Sequence, residues 1–323
     1  MTVAASSPQT TAPRAGAPFE HATEPANERA AEPANERAAG PANERAAGAR
    51  SAGEPVNEPR LDFAGLTPYD EYVKASTLHR LQQPRSADPG EMAFLVTTQV
   101  MELWFGLLVY EWHTACGALA EDRLDDALAS LRRSVAELRA LAASWTPVSS
   151  LTPAQFNAYR SALGEASGFQ SAAYREMEFL LGEKSASLLQ PHADAPHAYA
   201  QLEQALHAPS LYDTVLDFLH RRGFDVPREV LDRDLSQRYE PHPGVEAVWV
   251  RIYTTGDEPL VQLGEVLTDI AELFGRWRTD HLMATRRAMG AKRGTGGSSG
   301  VAWLEKRAAR LVFPELWTAR GHV

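Results

Sequence analysis

The sequence has very little cysteine: Cys116 is the only one among 323 residues. A disulfide within the chain is therefore excluded, and so is an iron–sulfur cluster or a metal site built from several thiolates. No uninterrupted apolar run approaches the roughly 18 residues of a membrane-spanning helix. The N-terminus also lacks the basic and then apolar layout of a signal peptide. These absences predict a soluble protein of the reducing cytoplasm.

Positive charge is in deficit, because 42 acidic residues stand against 32 lysines and arginines and leave a net charge of −10. Nucleic-acid binding needs a concentrated positive surface, so no nucleic-acid partner is expected. The alternation of apolar and polar residues that is typical of strands is almost absent. Because helical spacing dominates instead, the sequence predicts a nearly all-α fold.

Residues 1–60 differ in composition from the rest of the chain. The unit Glu-Pro-Ala-Asn-Glu-Arg-Ala-Ala begins at Glu24 and at Glu32, and it returns with glycine first at Gly40. Proline every eight residues interrupts any helix, and few apolar side chains are available to bury. We predict a disordered tail over 1–60, either a docking segment or a repeat expansion without a role. One helical domain should follow over 61–323.

Helix-start signals recur within that domain. Thr67 followed by Pro68 and an acidic first turn predicts one start, and Thr152 opens a capping box for another. Between them, residues 91–119 and 123–145 carry apolar side chains three and four positions apart. This spacing predicts two amphipathic helices.

One histidine continues an apolar helix face. Apolar residues precede His281 at intervals of four, three, four and four, namely Val266, Ile270, Leu273 and Trp277. Such a histidine is either a hydrogen-bonded core residue or a metal ligand. The glycine- and serine-rich run over 294–300 favours a ligand-binding role, because its backbone N–H groups are free to face an anion. The alternative for that run is a flexible linker.

Arg160 lies between Phe156 and Leu163 on a predicted helix face. An arginine in such surroundings must reach solvent, pair with an acid or bind an anion, because an unpaired buried charge is very costly. The residues alone leave a structural salt bridge and an anion site equally open.

Several motifs together resemble the tryptophan 2,3-dioxygenase family, and they appear in order over about 65–320. They are Glu-Leu-Trp-Phe at 102–105, Phe-Asn-x-x-Arg at 156–160, Trp-Arg-x-x-His at 277–281, Gly-Thr-Gly-Gly-Ser-Ser-Gly at 294–300 and Phe-Pro-Glu-Leu-Trp at 313–317. The resemblance implies a helical haem-binding core and a homotetramer arranged as a dimer of dimers. The alternative that the residues alone allow is a helical bundle without a cofactor.

The resemblance implies one haem b per subunit. His281 would be the axial iron ligand, and a single axial histidine leaves the sixth iron position open for O₂. Trp277, Ser167 and Gly168 are expected to line the haem.

The resemblance also implies a site for a zwitterionic aromatic amino acid. Arg160 is expected to bind the α-carboxylate through its planar guanidinium, and Thr295 to bind the ammonium and the carboxylate. The indole ring is expected to lie among Phe94, Phe156 and Leu163, and Tyr69 and Tyr72 are expected to come from a neighbouring subunit.

The sequence departs from the family at Thr98, which stands at the catalytic position of the distal histidine. The implied reaction is oxidative cleavage of the indole C2–C3 bond of tryptophan to N-formylkynurenine. Because threonine is smaller than histidine, we expect the pocket to accept a substituted tryptophan such as the β-methyl derivative. Two alternatives remain: a monooxygenase that forms a 2-oxindole in secondary metabolism, and a non-catalytic sensor of haem or an amino acid.

Overall fold

The computed structural model describes residues 62–290, 292, 294 and 299–323. The predicted tail over 1–60 and the predicted substrate contact Thr295 lie outside the described residues, so both stay predictions. The chain divides into two compact units, Met1–Ser76 and Thr77–Val323.

The described part of the first unit contains helix α1 (Pro68–Val73), and α2 (Ala75–Leu78) begins at its end. The predicted cap is confirmed, because the Thr67 hydroxyl accepts a hydrogen bond from the Asp70 N–H at 3.2 Å. Lys74 then adopts a left-handed conformation with φ of 58° and ends α1. The Asp70 carboxylate accepts hydrogen bonds from the N–H and the hydroxyl of Ser76, which fixes the turn between the two helices.

The described residues of the second unit contain helices and no strand, which confirms the all-α prediction. Its two longest helices have 32 residues each and carry the predicted apolar faces around Phe94 and His281. The helices are α3 (Pro89–Ala120), α4 (Leu124–Ala143), α5 (Trp145–Ser149), α6 (Pro153–Arg160), α7 (Ala172–Leu180), α8 (Pro196–His207), α9 (Leu211–Arg221), α10 (Arg228–Leu231), α11 (Pro243–Thr255), α12 (Glu258–Met289), α13 (Val301–Ala308) and α14 (Pro314–Thr318).

Helix α4 packs against both α3 and α12, and α5 and α6 bridge the same two helices further along. The predicted single helix over 123–145 is wrong in one respect, since α4 ends at Ala143 and α5 begins at Trp145. Pro147 explains the break, because it has no N–H to donate to the carbonyl of Ala143. The break turns the Trp145 side chain onto α12.

The predicted capping box at Thr152 is confirmed at the start of α6. The prediction of one continuous helix through Leu163 is wrong, because α6 ends at Arg160 and Leu163 lies in a 3-10 turn. Gly164 stops the turn with φ of 60°, a conformation that costs glycine little. Phe156 and Arg160 therefore share a helical face, and Leu163 follows them on a tighter turn.

A buried charge cluster joins α7, α12 and α13. The carboxylate of Glu178 accepts hydrogen bonds from Arg278 at 2.7 Å and Arg307 at 2.6 Å, and it also pairs with Arg175. Burial alone would raise the pKa of Glu178, but the three guanidiniums together lower it to about 2. Because Arg278 precedes the glycine-rich run and Arg307 follows it, Glu178 holds both flanking helices.

Helix α3 is long and apolar enough to cross a membrane by length and composition, with a mean hydropathy of 1.6 over its most apolar window. Only 28% of that window is buried. Core helices of soluble proteins meet the same criterion, so this feature alone assigns no membrane. It does show that much of α3 lacks a partner within the described chain.

Candidate active site

His281 lies in a group of aromatic rings between α5 and α12. Its imidazole stacks on the Trp145 indole, with ring centroids 4.6 Å apart and planes inclined by 11°. Trp277, one turn earlier on α12, is buried and contacts Trp145 at 5.6 Å and His281 at 5.9 Å. Phe105 and Tyr174 complete the group around Trp277.

Burial lowers the pKa of His281 to about 4, so the imidazole is neutral at pH 7. Neutral imidazole is the form that ligates metals. His281 is partly exposed and forms no hydrogen bond with another described residue, and the buried indole N–H of Trp145 also lacks a partner there. The ring nitrogens of His281 therefore stay available to a ligand in this structure.

A cavity of about 420 Å³ lies beside the stacked pair, between α5 and the second half of α12. Its walls combine apolar and charged groups: Ala142, Trp145, Thr146, Ser149, Ser150, Asp280, Met283, Ala284 and Arg287. The cavity thus adjoins the ring that stacks on His281.

Three of the predicted substrate contacts come together in one cluster. The rings of Phe94 on α3 and Phe156 on α6 meet edge to face at 6.3 Å, and Leu163 packs against the same cluster. Ala288 closes the cluster from α12. Because Ala288 follows His281 by two helical turns, the cluster lies about 10 Å along α12 from the histidine.

Sequence reasoning missed Tyr159, which is fully buried in this cluster. Its ring contacts Phe94 at 5.8 Å and Phe156 at 5.5 Å, while its hydroxyl has no hydrogen-bond partner in the described residues. Burial, helped by Asp88 and Glu91 nearby, raises the pKa of Tyr159 to about 12. Tyr159 directly precedes Arg160, and its position next to a predicted site residue was the available signal.

Thr98 lies one turn after Phe94 on the same face of α3. Its hydroxyl donates a hydrogen bond to the Phe94 carbonyl at 2.8 Å. This common helical geometry uses the only proton of the hydroxyl and leaves its oxygen lone pairs available. Thr98 can therefore accept a hydrogen bond from a ligand in this conformation, but it has no proton left to donate.

Comparison with known proteins shows which family the chain resembles. The family model described as tryptophan 2,3-dioxygenase matches residues 54–255 and 247–323. The chain is 41% identical over 263 residues to the tryptophan 2,3-dioxygenase of Bordetella parapertussis, covering 81% of this chain and 93% of the relative. That of Burkholderia pseudomallei is 40% identical, with 81% and 86% covered, and tryptophan 2,3-dioxygenase 1 of Ralstonia nicotianae is 38% identical, with 82% and 90% covered.

The chain belongs to the tryptophan 2,3-dioxygenase family. It is therefore an oxidoreductase, and the family implies a haem cofactor in general. Its residues fit that group: His281 offers one neutral nitrogen ligand in a partly buried, aromatic setting. Within the described residues, no cluster of three or more His, Cys, Asp or Glu side chains provides another metal site.

The segment that this family resemblance assigns to the haem edge is fixed by local hydrogen bonds. The Ser167 hydroxyl accepts the Phe169 N–H at 3.3 Å, and Gly168 has nothing within 4 Å of the place where a Cβ would stand. Phe169 packs edge to face on Trp303 at 5.6 Å. The segment is thus attached to α13 and leaves Gly168 open to a ligand.

Arg160, the predicted carboxylate ligand, is the last residue of α6 and is partly buried. One turn earlier, Asn157 accepts a hydrogen bond from the Lys292 ammonium at 3.0 Å. This contact joins Lys292, two residues before the glycine-rich run, to the second half of α6. Tyr69 and Tyr72 belong to the first unit, where 68% and 90% of their surfaces are exposed.

Proposed function

We propose that this enzyme binds haem b through His281 and uses O₂ to oxygenate the indole ring of L-tryptophan or a substituted tryptophan. The observation that carries the proposal is the arrangement on α12. A neutral histidine without a hydrogen-bond partner in the described residues precedes, by two turns, an aromatic cluster that includes Phe94 and Phe156. One helix therefore carries the proposed iron ligand and, through Ala288, one side of this apolar cluster.

The side chains of the chain would bind and orient the substrate. Phe94, Phe156 and Leu163 would surround the indole and exclude water, while the Arg160 guanidinium would bind the α-carboxylate. The Thr98 oxygen would accept the indole N–H. Thr295 would contact the amino-acid end of the substrate from the glycine-rich run. Haem, when bound, supplies the iron that activates dioxygen.

Cleavage of the C2–C3 bond to an N-formylkynurenine is the default reaction. Both atoms of O₂ then enter the product, so no external reductant is consumed. We infer that a β-methyl tryptophan also fits, because threonine at 98 occupies less space than the family's histidine. These assignments agree with the relatives' names, which describe tryptophan 2,3-dioxygenases.

The hydrogen bond of Thr98 favours one second candidate, a monooxygenase that forms a 2-oxindole in secondary metabolism. A threonine that donates only to Phe94 orients the indole less firmly than an imidazole. One oxygen atom would enter the product and the other would leave as water. This reaction consumes two protons and two electrons from a reductant such as ascorbate.

We further propose a homotetramer, arranged as a dimer of dimers, that works in the cytoplasm. The exposed Tyr69 and Tyr72 support this assembly, since both side chains are available for contacts with another subunit. In the tetramer they would reach the site of a neighbouring subunit. The single cysteine suits a reducing compartment.

One experiment tests the reaction. The haem-loaded protein is given ¹⁸O₂ with tryptophan or β-methyl tryptophan, and the product mass is measured. Two labelled atoms support cleavage, and one labelled atom with consumption of the reductant supports the 2-oxindole. Unchanged substrate in a protein with bound haem would contradict both. His281→Ala should lose the Soret band, and a retained, unaltered band would contradict His281 as the ligand.

A further inference from the structure

Within the described residues, His281 lacks the contact that usually orients a metal-binding histidine. Such a histidine ordinarily donates a hydrogen bond from its second ring nitrogen to a carboxylate, a carbonyl or a water, and that bond fixes the direction of the ring. His281 forms no hydrogen bond with another described residue. Contacts with neighbouring rings therefore orient its imidazole, and Trp145 and Trp277 supply them.

Trp277 is the ring that joins His281 to the core. It is buried, and its indole N–H has no hydrogen-bond partner in the described residues, so packing alone holds it. Phe105 of α3 meets the Trp277 ring edge to face at 5.6 Å, and Tyr174 of α7 lies tilted against it at 5.2 Å. A shift of either ring would leave space beside Trp277, and the imidazole could then tilt.

Tyr174 differs from the other rings of this group because a hydrogen bond also holds it. Its hydroxyl donates to Oε1 of Glu178 at 2.9 Å. Burial and, next, the Glu178 carboxylate raise the pKa of Tyr174 to about 12, so the hydroxyl keeps its proton at pH 7 and remains a donor. The carboxylate thus fixes the position of the Tyr174 ring against Trp277.

The same carboxylate oxygen also holds the side of α12 that carries His281. Oε1 of Glu178 accepts a hydrogen bond from Arg278 at 2.7 Å, and Arg278 directly follows Trp277 and precedes His281 by three residues. Glu178 therefore acts on the turn before His281 at two points, through the Tyr174 ring and through the Arg278 side chain. Because this carboxylate is fully buried and has further guanidinium partners, it has little freedom to move.

Tyr174 lies apart from the residues that are expected to surround the indole. Those residues form a separate cluster that Ala288 closes, about 10 Å further along α12, and Tyr174 does not belong to it. The proton of the Tyr174 hydroxyl is already donated to Glu178. Both observations argue against proton transfer to the substrate, and the contact with Trp277 leaves a role that acts through His281.

We propose that Tyr174 is a positioning residue for the iron ligand: held by Glu178, its ring supports Trp277, which keeps the His281 imidazole in one direction. This inference rests on the proposed function, in which His281 binds the haem iron. The buried charge cluster then serves the cofactor site as well as the fold.

The test uses the full-length, haem-loaded protein and the variant Tyr174→Phe. Phenylalanine fits the space of tyrosine, so the variant should fold while its ring loses the bond that fixes it. Resonance Raman spectra of the ferrous protein should show an iron–histidine stretching band that is broader and lower in frequency than in the wild type. Transfer of haem to an excess of apomyoglobin should be about tenfold faster, as is typical when a residue that supports a metal ligand is changed.

Tyr239→Phe is the matched control. The Tyr239 hydroxyl also donates to a buried glutamate, Glu315, at 2.7 Å, and its ring meets that of Tyr212. The control therefore removes the same kind of hydrogen bond from another part of the core. It should leave the Raman band and the rate of haem transfer at their wild-type values, even though it too weakens the fold.

Two further measurements separate positioning from general stability. Glu178→Asp keeps the charge but withdraws the carboxylate from Tyr174 and Arg278 together, so it should shift the Raman band at least as far as Tyr174→Phe. Steady-state kinetics of Tyr174→Phe should show kcat lowered by about threefold to tenfold, the value of one hydrogen bond. The KM for tryptophan should stay unchanged, because the expected substrate contacts lie outside this group of rings.

Three results would overturn the inference. In the first, the wild type shows an iron–histidine band that Tyr174→Phe leaves unchanged; the proposed function then stands and only the positioning role is lost. In the second, Tyr239→Phe alters the band as much as Tyr174→Phe does, which would reduce Tyr174 to a general contribution to stability. In the third, the wild type binds haem without an iron–histidine band, which would remove His281 as the ligand and the inference with it.

Discussion

The imidazole of His281 stacks on the indole of Trp145 with ring centroids 4.6 Å apart and nearly parallel planes. The stack removes water from one face of the imidazole and thereby helps to keep it neutral. It also fixes the direction of the imidazole ring on α12. An iron ligand needs both properties, since the nitrogen must be deprotonated and its ring correctly oriented.

Replacing Trp145 should therefore change the pKa of His281. In the haem-free protein, burial holds the pKa of His281 at about 4, and Trp145→Ala should raise it towards the usual 6.5 because water reaches the ring. NMR titration of the imidazole protons measures the shift. Trp145→Phe is the control, since it keeps an aromatic face and should keep most of the depression. An unshifted pKa in Trp145→Ala would contradict the role of the stack.

The same pKa predicts how the haem-free protein responds to acid. Between about pH 6.5 and pH 4, the unfolded chain binds a proton at His281 and the folded chain does not, so stability falls as the pH falls through this window. His281→Gln should make the free energy of unfolding less dependent on pH there. Urea unfolding of both proteins at several pH values between 4 and 7 measures it. An identical pH dependence would contradict the prediction.

Local signals predicted much of this fold. Thr67 and Thr152 mark helix starts that the structure reproduces, because caps depend on residues close in sequence. Contacts between residues that are far apart in the sequence could not be predicted from such local signals. Nothing in the spacing around His281 indicated that Trp145 would stack on it, since local periodicity contains no information about which helices become neighbours.

The buried charge cluster shows the same limit. Glu178 and its partners Arg278 and Arg307 look like ordinary surface charges in the sequence, and only the packing of α7 against α12 and α13 buries them. The prediction that Phe94, Phe156 and Leu163 lie together came instead from the family resemblance. Helical spacing alone would have treated these residues as core.

Glu178 should be essential for stability. Glu178→Gln leaves three buried guanidiniums without their shared carboxylate, which should cost about 3–5 kcal/mol of unfolding free energy at pH 7. Urea unfolding measures it. Glu305→Gln is the control, because the exposed pair of Glu305 with Arg286 should contribute less than about 1 kcal/mol. Equal losses in both variants would contradict the importance of burial.

Protonation of Glu178 should also reduce the stability of the folded protein in acid. Its pKa is about 2 in the folded protein and near 4.5 when unfolded, so its stabilisation is complete above pH 4.5 and is lost as the pH falls towards 2. The loss over this window amounts to about 3 kcal/mol. Thermal unfolding from pH 5 to pH 2 measures it, and Glu178→Gln should show a flatter profile. A profile as steep as that of the wild type would assign the acid sensitivity to other carboxylates.

Thr98 should control how the indole is oriented. Thr98→Val keeps the shape but removes the oxygen that can accept the indole N–H, so KM for tryptophan should rise by about tenfold, the value of one hydrogen bond. 1-Methyltryptophan lacks that N–H and should be processed equally by both proteins. Thr98→His should favour tryptophan over its β-methyl derivative, since the imidazole takes up space. If Thr98→Val left the KM for tryptophan unchanged and Thr98→His left the selectivity between tryptophan and its β-methyl derivative unchanged, residue 98 would not face the indole.

Arg160 should recognise the carboxylate of the substrate and nothing else. Arg160→Ala should lower kcat/KM for tryptophan by at least a hundredfold, because a charge-assisted, bidentate contact is lost. Tryptamine, which has no carboxylate, separates this role from a structural one: its slow oxidation should be the same in both proteins. Arg160→Lys keeps the charge but not the planar fork, so it should recover only part of the activity. If Arg160→Ala slowed both substrates alike, Arg160 would instead support the fold of α6 and the turn to Leu163.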